Sequence, residues 1–157
     1  MMELTMQRQT IFLASLSTLG ALMMLSTTNA AIANSQIRVT IANLRNQKGS
    51  VCLTLFNGSQ GFPNQSDRSV ASRCINAEEA ASGTTFDDLT PGDYAIAVIH
   101  DENKDGKLNT GLFGIPTEGF GFSQNPKVRM GAPSFKDTAF PLSGTSTPIQ
   151  IDLKYIF

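Results

Sequence analysis

The chain has 157 residues, of which 12 are Lys or Arg and 13 are Asp or Glu, so its formal net charge is −1. A near-neutral chain without a basic run lacks the charged surface by which proteins bind nucleic acid or anionic membranes. A chain of this length fits one domain with a modest core. We therefore expect no nucleic-acid partner.

The first 33 residues have the order of a signal peptide. Arg8 is followed by an apolar run of fifteen residues, Ile11 to Leu25, and then by the small residues of Ala30 to Ala33. A charged start, an apolar middle and an A-x-A end are typical of a secretory signal. The run is shorter than the roughly 20 residues that a membrane-spanning helix needs. The sequence therefore predicts cleavage after Ala33, with cleavage after Ala30 and an uncleaved anchor as the alternatives.

Removal of residues 1–33 would leave residues 34–157 as one domain. On this hypothesis the protein is periplasmic or secreted, is not inserted in a membrane after cleavage, and meets an envelope or extracellular ligand or protein. The chain has two cysteines, Cys52 and Cys74. Two cysteines in an exported chain most often pair, and a 22-residue loop closed in this way is stabilised by roughly 3 kcal/mol. Buried free thiols are the alternative.

Alternating apolar residues predict strands through most of residues 34–157. The clearest alternations lie in 37–41, 94–100 and 149–155. A further strand is expected in 50–56, and weaker ones in 70–76 and 138–142. The strand at 94–100 is apolar on both faces, which indicates a central strand covered on both sides. No amphipathic helix of three turns follows residue 33, so short strands between Gly and Pro turns predict an all-β fold.

The expected architecture is an antiparallel β-sandwich, immunoglobulin-like or transthyretin-like, with six or seven strands and one long ligand-type loop. Two local predictions accompany it. The polar turn at 46–49 predicts a hairpin between the first two strands. Pro91 followed by Gly92 suits a type II turn, in which Gly supplies the positive φ.

The long loop lies between His100 and the strand near Thr138, about 35 residues without strong periodicity, and such loops are often functional. It opens with oxygen-bearing side chains at steps one, three and five and Gly at step six, the order by which a chain wraps a hard cation. The predicted Ca²⁺ ligands are Asp101, Asn103, Asp105, the carbonyl oxygen of Lys107, Asn109 and Glu118.

The pattern departs from an EF-hand at step twelve, where Leu112 replaces the bidentate Glu and no helix is predicted on either side. Glu118, or Glu102, would have to complete the ligand set after the loop folds back. The alternative is a tight turn in which Asp and Asn side chains accept hydrogen bonds from their own backbone. Both interpretations predict a compact loop, and only the first predicts a bound ion.

A segment rich in Gly and aromatic residues follows this loop. Phe supplies area for packing or stacking, so we expect either a ligand surface or a set of rings that close one end of the core. The candidate surface residues are His100, Phe113, Phe120 and Phe122. An enzyme is the less favoured alternative, a hydrolase whose carboxylates and single histidine would be Asp101, Asp105, Glu118 and His100.

Two blocks of this sequence resemble a known family. They are LTPGDYAIAVIHDENKDGKL at Leu89–Leu108 and GIPTEGFGFS at Gly114–Ser123, and the likeness extends to Phe56, Phe62, 133–140 and 153–155. The chain resembles domain of unknown function family 2141 over nearly all of residues 34–157. The resemblance implies an exported bacterial β-sandwich and carries no particular activity. The cysteine pair is not part of that pattern, so the disulfide is predicted from this sequence alone.

Overall fold

The computed structural model describes residues 34–129 and 131–156, and the predicted signal segment 1–33 lies outside them. Eight strands are described within these residues: β1 (Ser35–Ala42), β2 (Ser50–Phe56), β3 (Ala71–Asn76), β4 (Thr84–Leu89), β5 (Gly92–Asp101), β6 (Gly119–Phe122), β7 (Phe140–Leu142) and β8 (Ser146–Asp152). Short helices join some of them: α1 (Phe135–Thr138) and the 3₁₀ turns Ser66–Arg68, Ala77–Ser82 and Leu112–Gly114.

The strands form two sheets. One sheet has three strands in the order β4-β1-β8, and the other has five, in the order β3-β2-β5-β6 with β7 paired to the start of β5. The main core lies between them and contains buried apolar side chains from both sheets, among them Ile37, Val39, Leu53, Ile96 and Ile151. The predicted sandwich is therefore confirmed.

The central strand β5 is covered on both faces, as its sequence predicts. Tyr94, Ile96 and Val98 face the main core. Ala97 belongs to a second buried cluster with Phe56, Phe120 and Phe122, against which Phe62, Leu108, Val128 and Phe135 also pack. A strand between two apolar layers needs apolar residues on both faces, and this explains the nearly continuous apolar sequence of β5.

The predicted disulfide is also present. Cys52 of β2 and Cys74 of β3 lie directly opposite each other in the antiparallel ladder, with Cα atoms 4.0 Å apart, and their sulfur atoms are bonded. Cys52 is buried, whereas Cys74 is exposed on β3 at the edge of the sheet.

The number and the pairing of the strands differ from the sequence prediction in three respects. The described residues contain eight strands rather than six or seven, and β1 pairs with β8 in parallel, so the sandwich is not wholly antiparallel. The predicted hairpin between the first two strands is wrong, because β1 and β2 belong to different sheets. Alternation in a sequence identifies the buried face of a strand but not the strand that pairs with it.

The predicted type II turn at Pro91 and Gly92 is wrong as well. Gly92 is the first residue of β5 and pairs with Leu142 of β7, so it is extended. The positive φ of this segment belongs instead to Asp88, at 57°. A Pro-Gly pair favours the turn locally, but here the sheet pairing of Gly92 outweighs that preference.

The long loop is shorter than its sequence indicates because β6 lies within it. Two of the four residues of β6 are glycines, which are unfavourable in strands by propensity alone. Both are needed here for close approach: a Cβ on Gly119 would lie 2.4 Å from Cε1 of Tyr155, and a Cβ on Gly121 would lie 2.7 Å from Cγ2 of Ile151. Residues far along the chain therefore explain this strand.

Candidate functional site

The predicted cation loop is the connection between β5 and β6. These strands pair in antiparallel register, with His100 opposite Gly119. Asp101 is the last residue of β5, and Glu118 immediately precedes β6. The hairpin therefore brings the first and last of the predicted ligands to the same end of the sandwich.

Asp101 organises the start of the loop. Its side chain is buried, with 2% of its surface exposed. Its Oδ1 accepts a hydrogen bond from the backbone N–H of Asp105 at 3.1 Å, and its Oδ2 accepts one from Gly106 at 2.8 Å. Gly106, at step six of the loop, has φ 78°, a left-handed conformation that Gly adopts without steric cost. The chain thus closes around the Asp101 carboxylate.

Asp105 is the centre of the exposed half of the loop. Its Oδ2 accepts hydrogen bonds from Nδ2 of Asn109 at 3.0 Å and from Nδ2 of Asn103 at 3.2 Å, and its Oδ1 accepts one from the N–H of Lys107 at 2.9 Å. The bond from Asn109 is the largest of the interactions that lower the pKa of Asp105 below its ordinary value, ahead of those from Asn103 and Lys107. Asn103 and Asn109 therefore direct their Nδ2 groups to Asp105. Oδ1 of Asn103 also accepts a hydrogen bond from the N–H of Asp105 at 3.1 Å.

Glu118 closes the loop from its other end. Its Oε1 accepts a hydrogen bond from the N–H of Glu102 and its Oε2 accepts one from the N–H of Asn109, both at 2.9 Å. The Glu118 side chain is buried, with 6% of its surface exposed. Within the described ranges, the ion pairs in this region are made by Glu102 and not by Asp101 or Glu118.

These residues only partly fit a metal site. Among residues 34–129 and 131–156, no three Asp, Glu, His or Cys side chains are close enough together to hold a metal ion by themselves. A cation here would also need amide and carbonyl oxygens. Oδ1 of Asn109 is one such oxygen: it is buried and has no hydrogen-bond partner. The carboxylate-to-backbone hydrogen bonds also match the alternative, a self-capped turn.

A model of an uncharacterized protein family conserved in bacteria, DUF2141, matches residues 39–150. The matched region runs from β1 into β8 and contains the whole candidate loop. The chain belongs to the DUF2141 family. Neither the curated proteins nor the solved structures contain a match to it.

Beside the loop, this DUF2141 domain contains a polar network that the sequence did not predict. The Glu102 side chain binds other residues than the candidate ligands: its Oε1 accepts hydrogen bonds from Nε and Nη2 of Arg45, at 3.0 and 2.7 Å, and its Oε2 accepts one from Nδ2 of Asn46 at 3.1 Å. Partial burial raises the pKa of Glu102, but the hydrogen bonds from Asn46 and Arg45 outweigh it and the net pKa is lowered. Glu102 is therefore not a candidate ligand.

The same network includes Tyr155. The Arg45 guanidinium lies over its ring, with Cζ 4.6 Å from the centroid, and burial raises the pKa of its hydroxyl. No sequence signal links Arg45 to Glu102 or Tyr155, since these residues lie 57 and 110 positions away along the chain.

The four candidate surface residues do not share one surface in the DUF2141 domain. His100, Phe120 and Phe122 are buried, with at most 8% of their surface exposed, and the two Phe rings belong to the second core cluster. The alternative interpretation, rings that close the core, therefore describes Phe120 and Phe122. Phe113 is 96% exposed and is the one of the four that faces solvent.

The hydrolase alternative gains no support from this geometry. His100 has none of its surface exposed, and its ring nitrogens are hydrogen-bonded to Tyr155 and to the backbone of Lys48. A general base must reach the proton that it removes from a substrate. The carboxylates of Asp101 and Glu118 are also buried and directed to backbone N–H groups.

No described helix of the domain is both long enough and apolar enough to cross a membrane.

Proposed function

We propose that this DUF2141 protein is an exported, non-enzymatic β-sandwich whose 101–109 loop binds Ca²⁺. The ion would hold the loop in shape and thereby order the adjoining turn, residues 110–116, as a surface for an envelope or extracellular ligand or protein.

Two buried carboxylates in one loop carry this proposal. Charged groups that are removed from water are normally paired with an opposite charge or bound to a metal. Asp101 and Glu118 are buried, and the hydrogen bonds described for them come from neutral backbone N–H groups. A carboxylate has about four acceptor positions in all, so each retains acceptor capacity for a cation.

The other proposed ligands are neutral or exposed oxygens. Asp105 would supply its carboxylate, Asn103 and Asn109 their amide oxygens, and Lys107 its backbone carbonyl. Oδ1 of Asn109 supports this set because it is buried without a partner. Oxygen ligands of this mixed kind suit Ca²⁺, and extracellular calcium modules often have dissociation constants of about 10⁻⁴–10⁻³ M.

The test is thermal unfolding of the mature protein in Ca²⁺, in Mg²⁺ and in chelator. At a free concentration of about 100 times the dissociation constant, binding would raise the free energy of unfolding by roughly 2.7 kcal/mol. We expect a higher melting temperature in millimolar Ca²⁺ and a smaller change in Mg²⁺, which dehydrates reluctantly and requires near-octahedral geometry.

Asp105→Asn is the informative variant, because Asp105 is exposed and contacts only the loop. It should lose most of the Ca²⁺-dependent shift. Asp67→Asn, which changes an exposed acid in the Ser66–Arg68 turn, is the matched control and should keep the shift. A melting temperature that Ca²⁺ does not move, or that it moves equally in both variants, would leave the loop as a self-capped turn.

Export is the second part of the proposal, and the Cys52–Cys74 disulfide supports it. Disulfides form and persist in oxidising compartments such as the periplasm and the extracellular space. Mass spectrometry of the mature protein should find Asn34, or Ala31, at its N-terminus. Recovery of chains that begin at Met1 or Met6 from the membrane fraction would contradict it.

A further inference from the structure

The turn that follows the candidate loop carries two adjacent apolar side chains in water. Leu112 is 83% exposed and Phe113 is 96% exposed, more than any other large apolar residue described as exposed. We call these two residues the apolar tip. Isolated apolar residues on a surface are ordinary, but two large neighbours at the apex of one turn form a patch that normally marks a contact site.

The fold does not need the phenyl ring of Phe113. That residue has φ 61° and ψ 20°, a left-handed conformation that is unfavourable for a bulky side chain. With almost all of its surface exposed, the ring has little packing to offset this strain. Strained residues of this kind are concentrated where a protein binds a ligand or a partner.

The backbone of the turn is hydrogen-bonded within itself. Gly111 N–H donates to the carbonyl of Ile115 at 2.8 Å, Gly114 N–H to Gly111 at 3.3 Å, and Ile115 N–H to Leu112 at 3.4 Å. A β-bridge between Thr110 and Pro116 closes its base. Residues 111–116 also contain no polar side chain. Such a turn can enter an apolar medium without leaving these N–H groups unpaired, the condition that a lipid environment imposes.

The charges beside the tip favour an anionic surface over a neutral one. Lys104 and Lys107 are exposed on the adjoining loop. Of the acids there, Glu102 is paired with Arg45, whereas the ion pairs described for the region do not include Asp101, Asp105 or Glu118. A bound Ca²⁺ would offset two of these three negative charges, and Lys104 and Lys107 would then leave the loop with a net positive charge. Basic residues near a membrane surface are attracted to anionic lipid headgroups.

We propose that the apolar tip enters the interface of an anionic lipid bilayer while Lys104 and Lys107 contact the lipid phosphates. The contact is peripheral and is made by one turn and two lysines, so it requires neither a spanning segment nor the basic run that the sequence lacks. Its preference for anionic lipid and its strengthening by Ca²⁺ rest on the function proposed above, whereas the exposure of the apolar tip does not depend on that function.

The experiment is sedimentation of the mature protein with vesicles of phosphatidylcholine alone or mixed with phosphatidylglycerol, in Ca²⁺ and in chelator. We expect binding to the phosphatidylglycerol vesicles, strongest in Ca²⁺, and little binding to phosphatidylcholine. Because transfer of a Phe side chain out of water is favourable, Phe113→Ser should weaken binding by about tenfold or more. Lys104→Gln with Lys107→Gln should weaken it and reduce its dependence on salt.

Two further variants exclude trivial explanations. Phe113→Gly removes the ring and suits the left-handed φ, so it should lose vesicle binding while its melting temperature is unchanged or raised. Val70→Ser changes a residue that is 42% exposed in another part of the chain, and it should bind as the wild type does. These variants separate loss of the tip from loss of folding and from loss of general surface hydrophobicity.

The outcomes distinguish the two proposals. Phe113-dependent binding that is equal in Ca²⁺ and in chelator would support the bilayer contact and count against the calcium site. If Ca²⁺ raises the melting temperature but the protein does not bind vesicles, the bilayer contact is wrong and the calcium site stands. The bilayer contact is also wrong if the apolar tip is found to bind an apolar pocket of another protein. Equal binding by Phe113→Ser and the wild type, or equal binding to both vesicle types, would also overturn it.

Discussion

His100 and Tyr155 form a hydrogen-bonded pair that joins the end of β5 to the C-terminal segment, with Nδ1 and the Tyr hydroxyl 2.8 Å apart. Nε2 lies 2.8 Å from the carbonyl oxygen of Lys48, which can only accept. In the neutral ring, Nε2 therefore carries the proton and Nδ1 accepts from Tyr155. The histidine that the sequence offers as a surface residue or as a hydrolase residue thus has a structural role, with both ring nitrogens hydrogen-bonded.

Replacement of Tyr155 by Phe should destabilise the fold through this pair. The change leaves Nδ1 of fully buried His100 without a partner, and an unsatisfied buried polar atom costs about 1–3 kcal/mol. Urea unfolding would measure the loss. Tyr94→Phe is the matched control, because the Tyr94 hydroxyl donates to the backbone carbonyl of Thr90, and we expect a smaller loss there. A loss from Tyr155→Phe no larger than the control's would refute the proposed pairing.

Gly119→Ala tests the packing of β6 against the same tyrosine. The new Cβ would lie 2.4 Å from Cε1 of Tyr155, so the ring or the strand must move. Overpacking of this kind costs about 1–3 kcal/mol in free energy of unfolding. Gly58→Ala is the control, since a Cβ there meets no atom within 4 Å. Equal stability of the two variants would show that β6 does not pack as described.

The disulfide should contribute about 3 kcal/mol to the free energy of unfolding, because it closes a loop of 22 residues. Denaturant unfolding with and without reductant measures this contribution. The double variant Cys52→Ser, Cys74→Ser should resemble the reduced wild type and should not respond to reductant. Two reactive thiols in the denatured, unreduced protein would disprove the bond.

The Ser134–Asp137 cap at the start of α1 should make stability depend on pH. The Ser134 hydroxyl donates to Oδ2 of Asp137 at 2.6 Å, and this bond, followed by the one from the Ser134 N–H, lowers the pKa of Asp137. The stabilisation is therefore fully present above the ordinary value of 3.8 and is lost as the pH falls through the lowered folded-state pKa.

Unfolding of Asp137→Asn and of the wild type across this pH range measures that effect. The variant should be less stable at neutral pH, and the difference should shrink on acidification. In a Ser134→Ala background, which lacks the capping hydroxyl, Asp137→Asn should change the free energy of unfolding much less. A difference that stays constant from neutral to acidic pH would contradict the assignment.

Local patterns in the sequence were sufficient to predict several features of the structure. The alternation of Ile37, Val39 and Ile41 identified the buried face of β1, because a strand that covers a core on one side must repeat every two residues. The spacing from Asp101 to Gly106 predicted the tight loop, since a short polar side chain captures N–H groups only a few residues away. Family membership was also visible in the sequence blocks, and the family match confirms it.

Features that depend on neighbouring residues, such as strand faces, the compact loop and the all-β class, could be predicted without a structure. Features that depend on residues far apart along the chain could not. Only the fold shows that β1 pairs in parallel with β8, that Gly119 is required by Tyr155, and that Phe113 is exposed whereas Phe120 is buried. The physical reason is that the conformational preference of a short segment contributes little free energy. Sheet pairing and close packing between residues far apart along the chain contribute more and outweigh it.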